Sequence, residues 1–66
     1  MNIVFNGKPF YVEKDITLSA IVESKGFDSK VVVCELNREI IAYGLWGMTI
    51  LQENDKLEVI SFVGGG

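Results

Sequence analysis

The chain has 66 residues, 48% of them hydrophobic and 23% charged, with six basic side chains against nine acidic ones and a net charge of −3. That length bounds it to one small domain: such chains bury only about 60% of the surface their unfolded form exposes, so nearly every large apolar residue must enter the core. The acidic balance, with a pI near 4.6, argues against nucleic acid as the main ligand, because the phosphate backbone repels such a surface.

What is missing narrows the chemistry further. There is no histidine, which removes the commonest general base and the commonest metal ligand together, and with it any Ser-His or Cys-His pair. The single cysteine, Cys34, allows neither an internal disulfide nor a paired metal or redox motif. No glycine-rich phosphate loop of the Walker or dinucleotide type is present. No apolar run approaches the roughly 20 residues that a membrane helix needs. The start, Met1-Asn2-Ile3-Val4-Phe5, lacks the basic region and small-residue cleavage site of a secretory signal. The expectation is a cytoplasmic protein with no bound cofactor or metal and no catalytic residue of its own, on which larger proteins act.

In chain order, Asn2 to Phe5 is a short β-branched and aromatic run that stops at Asn6-Gly7. Asn-Gly is the strongest short hairpin signal, since both residues accept the positive φ of a type I′ turn. Lys8 to Val12 then returns antiparallel, and Pro9, which cannot donate to a ladder, fits an edge strand. The period changes next. Leu18, Ile21 and Val22 recur at helical spacing behind Thr17, an N-cap residue, with Ile16 placed to staple onto Ile21. Gly26 reads as the C′ residue, with Phe27 able to reach back to Val22 in a Schellman arrangement, so a helix is expected over about 18–25.

Val31 to Leu36 is the most strand-like stretch. Val32, Cys34 and Leu36 form one face and Val33 and Glu35 the other, with Glu35 marking the side toward water. Asn37-Arg38 turns the chain into a short strand at Glu39-Ile40-Ile41. Ala42 to Leu51 carries no readable period, although Trp46, between Gly44 and Gly47, is expected to anchor the core. Glu53-Asn54-Asp55 is a turn. Lys56 to Val63 is a final strand with Leu57, Val59 and Ser61 on one face and Glu58, Ile60 and Phe62 on the other. A hairpin, one helix and further strands without repeats or linkers fit an α+β, ubiquitin-like β-grasp: a mixed sheet of four to five strands with the helix packed across it. The pattern does not give the strand order. The expected organisation is a domain over 1–63 and a flexible tail, Gly64-Gly65-Gly66.

Two readings of that tail compete. Chain ends fray, and a glycine run could be nothing more than that. Against it, glycine loses the most conformational entropy on ordering, so a run of it after a strand is useful where mobility or narrowness is wanted. Three extended residues also reach roughly 10 Å beyond the domain. Without Cβ atoms they could thread a channel into another protein's buried site and carry the Gly66 carboxylate there. A carboxylate is a poor electrophile until ATP converts it to an acyl-adenylate, from which a sulfur nucleophile can displace AMP. None of that needs a base or metal from this chain.

The sequence resembles the ThiS-type sulfur carriers of thiamine biosynthesis over essentially its whole length. The likeness rests on the Asn6-Gly7 hairpin, Thr17-Leu18 opening the helix, the run from Val33 to Ile41 that contains Asn37-Arg38-Glu39, the isolated Trp46, and the close from Asn54-Asp55-Lys56 to Phe62-Val63-Gly64-Gly65-Gly66. The family usually has glycine where Asn54 stands, and asparagine is the next best residue for a left-handed backbone. Some members end in two glycines where this chain has three.

The resemblance implies a Gly66 carboxylate adenylated by an E1-like, ThiF-type enzyme that uses ATP. Sulfur would come from a relay such as a cysteine desulfurase, and a ThiG-type thiazole synthase would consume the thiocarboxylate. Gly64 and Gly65 would thread the partner active sites. Two other readings stay open: a small-subunit sulfur donor for molybdopterin or a related cofactor, and a non-covalent ubiquitin-like interaction module with an inert tail. Cys34, mid-strand on the apolar face, reads as a small hydrophobe with an inert thiol, not as a persulfide carrier. Ile60 and Phe62, with Glu58 on the same face, either complete the core or form a docking patch for the partner enzymes. Glu35, Glu53, Asp55 and Glu58 form an acidic surface that could steer a basic partner.

Overall fold

The computed structural model describes residues 1–62. The expected tail, 64–66, and the last residue of the expected final strand, Val63, lie outside the described residues. Among the described residues, five strands, one α-helix and one 3₁₀ helix follow in the order β1 (Asn2–Phe5), β2 (Lys8–Tyr11), α1 (Leu18–Ser24), β3 (Val32–Leu36), β4 (Glu39–Ile41), the 3₁₀ helix (Tyr43–Met48) and β5 (Lys56–Ser61).

Turn chemistry sets the hairpins. Asn6 and Gly7 take φ of 48° and 82°, the type I′ geometry whose twist suits a two-residue hairpin. β1 and β2 pair antiparallel around them, Phe5 opposite Lys8. Asn37 and Arg38, at 51° and 72°, repeat the turn between β3 and β4, with Leu36 opposite Glu39. The sheet order is β2-β1-β5-β3-β4. Pro9 therefore lies on an edge strand, as its missing donor requires. The last strand sits at the centre, parallel to β1 and antiparallel to β3.

The helix is fixed at both ends by local chemistry. The Thr17 side chain accepts from the Ala20 amide at 3.1 Å, satisfying one of the donors that a helix start leaves free. At the other end the Gly26 amide donates to Glu23 O and the Phe27 amide to Val22 O. That is the Schellman pair, and Gly26 has the φ of +79° it needs. Leu18, Ile21 and Val22 face the sheet and meet Ile3, Val32, Cys34, Leu57 and Val59 in a core completed by Val12, Trp46 and Leu51.

The segment with no readable period is a 3₁₀ helix packed on α1. Trp46 holds it: the indole is buried, and its N–H donates to the Ile41 carbonyl at 2.9 Å. Beyond it, the Leu18 amide donates to Thr49 O and the Leu51 amide to Ile16 O, tying the return path to the start of α1. No helix among the described residues is long and apolar enough to cross a membrane.

Candidate functional site

β5 delivers the chain toward the glycine tail, and both its neighbours hold it by side chain as well as backbone. On one side, Asn37 Oδ1 accepts from the Lys56 amide at 2.9 Å while its Nδ2 donates to Asp55 Oδ1 at 2.9 Å. On the other, Asn6 Oδ1 accepts from the Val59 amide at 2.8 Å and its Nδ2 donates to Val59 O at 3.4 Å. The parallel β1–β5 ladder ends with Phe5 opposite Leu57, so Asn6 continues it by side chain after the chain has turned away. Asn-Gly is legible as a turn. The second role of Asn6 spans 53 positions in sequence and has no local signal.

Core and surface alternate along β5 from Lys56 to Ile60, while Ser61, on the inner side of the pattern, is exposed. Leu57 and Val59 are buried, whereas Ile60 is 48% and Phe62 60% exposed. Of the two readings for Ile60 and Phe62, completing the core is therefore excluded, and they stand open on the outer sheet face with Glu58, which is also exposed. The Phe62 amide donates to Val31 O at 3.0 Å, so β3 guides the chain up to the last described residue. The same outer face carries Ile40, 71% exposed, opposite Glu35. A second set of exposed apolar residues, Tyr43, Leu45, Met48 and Ile50, belongs to the 3₁₀ segment and its exit. Sequence periodicity missed both Ile40 and this set, because a three-residue strand and a 3₁₀ helix give too few turns to show a face.

Cys34 is fully buried, and burial pushes its thiol up to about 11. It is an inert core residue at neutral pH, since the thiolate is the reactive form. Trp46 is core, as expected. No cluster of three or more His, Cys, Asp or Glu suited to a metal ion occurs among the described residues. Gly64, Gly65 and Gly66 lie outside the described residues.

The ThiS family model matches residues 3–66 of the chain. The chain belongs to the ThiS family. It is 36% identical to the sulfur carrier protein ThiS of Bacillus subtilis, over 92% of this chain and 94% of that protein. Its fold follows the crystal structure of the thiamine biosynthesis protein ThiS from Geobacter metallireducens with a TM-score of 0.86 at 29% identity, covering all of both chains. It is also 38% identical, over its whole length, to a thiazole synthase of Magnetococcus marinus, of which it spans only 20%. In that relative, a ThiS-like stretch and a much longer remainder share one polypeptide.

Proposed function

We propose that this ThiS-family chain carries sulfur for thiamine biosynthesis as a thiocarboxylate on Gly66. The observation that supports the reading most is the family match, which runs through the terminal glycines and is joined by a nearly full-length relative named as a sulfur carrier. The chemistry follows from what a carboxylate can do. A Gly66 carboxylate oxygen attacks the α-phosphorus of ATP on a ThiF-type adenylating enzyme, and pyrophosphate leaves. A persulfide on a relay charged by a cysteine desulfurase adds its terminal sulfur to the acyl carbon. AMP then departs with one of the original carboxylate oxygens, leaving an acyl disulfide between Gly66 and the relay. A thiol attacks the relay's sulfur, so that Gly66 keeps the outer sulfur as a thiocarboxylate and the two thiols end as a disulfide.

Gly64 and Gly65 serve this by being narrow: without Cβ atoms, the last residues can enter an active site closed to bulkier chains. The resulting sulfur is soft and nucleophilic, and a thiazole synthase is its consumer. A relative that combines a ThiS-like stretch with a thiazole synthase name supports that partnership, since fusion keeps donor and acceptor at high effective concentration. The chain is a co-substrate and not itself an enzyme. Ile60 and Glu58, exposed on β5, and Phe62, exposed just past it, are the docking contacts.

Intact mass spectrometry after incubation with a ThiF-type enzyme, ATP and a sulfur source tests the reading. One oxygen is expected to be replaced by sulfur at Gly66, and deletion of Gly66 abolishes the product with the fold intact. A chain that forms neither adenylate nor thiocarboxylate with cognate enzymes, yet still binds them without Gly66, is a non-covalent module instead.

A further inference from the structure

On the outer face of the sheet, β3 and β5 pair so that Glu35 stands directly opposite Glu58. Like charges across a strand pair are destabilising, and this pair occupies two inner strands of the sheet. Lys56 lies on the same face of β5, two residues before Glu58, but among the described residues neither carboxylate is held in an ion pair or a hydrogen bond. The side-chain carboxylates that accept hydrogen bonds among the described residues are those of Glu53, Asp28 and Asp55, not these two. Toward the end of β5 the surface is apolar: Ile40 faces Glu35 from β4, Val33 and Ile60 form the next cross-strand row, and Phe62 follows just past β5, with Ile40, Ile60 and Phe62 all exposed. Among the described residues no second layer covers this face, because α1 and the core lie on the other.

An exposed apolar patch bordered by two like charges that have no partner among the described residues is complementary to one kind of surface. We propose that the adenylating enzyme docks here with a cationic side chain seated between Glu35 and Glu58 and apolar side chains over Ile40, Ile60 and Phe62. An arginine fits best, because its planar fork can serve two carboxylates at once and is weakly hydrated enough to enter an apolar contact. The acidic pair then weakens the free carrier and strengthens the complex, and an apolar rim excludes water from the ion contact. This inference rests on the carrier reading above and adds the chemistry of the partner's surface.

The test separates folding from binding. Full-length wild type, Glu35→Gln, Glu58→Gln and the double variant are melted alone, then titrated calorimetrically into the ThiF-type enzyme without ATP at low and high salt. Each Gln variant is expected to melt about 2–4 °C higher, because a like-charge repulsion is removed from a small domain. Each is also expected to bind roughly tenfold more weakly, as loss of a desolvated charge contact does. The double variant binds little worse than either single one, since one cation serves both carboxylates, and it loses most of the salt dependence. Ile60→Ser weakens binding without raising the melting temperature. Unchanged affinity in both Gln variants, or strictly additive losses, overturns the proposal even if wild type is adenylated normally. Failure of wild type to be adenylated overturns the carrier reading instead.

Discussion

Among the described residues, five that are not glycine hold positive φ: Asn6, Asp15, Asn37, Arg38 and Asn54. Four are Asn or Asp, whose short polar side chains tolerate the left-handed region, and the fifth is not. Arg38 takes φ 72° at the second position of a type I′ turn, where glycine has no steric cost. Arg38→Gly should therefore stabilise the protein by about 0.5–1 kcal/mol, less than the full left-handed penalty because glycine also frees the unfolded chain. Urea unfolding with a higher midpoint and unchanged slope is the expected result. Asn54, at 68°, shows why asparagine can stand where relatives are expected to carry glycine. Cys34 adds a pH dependence. Burial raises its thiol from 9.0 to about 11, so above pH 9 the unfolded chain releases a proton that the folded chain keeps. The contribution of Cys34 to stability is thus fully present below pH 9 and is lost, by up to about 2–3 kcal/mol, as pH rises toward 11. Cys34→Ala should flatten that decline in thermal melts and leave thiocarboxylate formation intact.

Among the elements, the helix was the most legible, because its signals are local. Thr17, Gly26 and the spacing of Leu18, Ile21 and Val22 state its start, stop and face within ten residues. A seven-residue helix has little intrinsic stability, so its caps matter more than in a long one. Gly26→Ala, forced into φ +79°, is expected to cost about 1–2 kcal/mol in chemical denaturation. The 3₁₀ helix was illegible for the opposite reason: Trp46 is placed by a bond to Ile41 and by packing on α1, which no local pattern encodes. Strand β5 was legible as a strand but not as one held by Asn6 and Asn37. Asn6→Gly preserves the turn and deletes only the two side-chain bonds to Val59. It should cost about 1–2 kcal/mol and accelerate hydrogen exchange at the Val59 amide more than at amides of β2. Equal acceleration at both would mean that the turn, not the clamp, had been damaged.

At the scale of the whole molecule, the parallel pairing of the first and last strands places the chain's final strand at the centre of its sheet, the position least able to move. Sequence pattern supplied the elements but not this order, because nothing in the alternation of β1 or β5 says which strand lies beside it. The proposed reactive group, by contrast, was legible at once, since it is a residue identity and a position, Gly66, and needs no packing to define it. Fold and chemistry are thereby separable, and the separation can be measured. One alanine added after Gly66 leaves every described contact in place, so the melting temperature should change by less than about 1 °C, as for a substitution far from packed or bonded groups. The same addition moves the carboxylate past the point where an adenylating site holds Gly66, and displacements of this size in a reacting pair cost orders of magnitude in rate. Thiocarboxylate yield should fall below detection by intact mass while affinity for the adenylating enzyme stays within about threefold, because the proposed docking face on β3, β4 and β5 is unchanged. Normal sulfur loading of the extended chain would remove Gly66 from its proposed role; loss of affinity in parallel with loading would place the binding energy in the tail and not on the sheet.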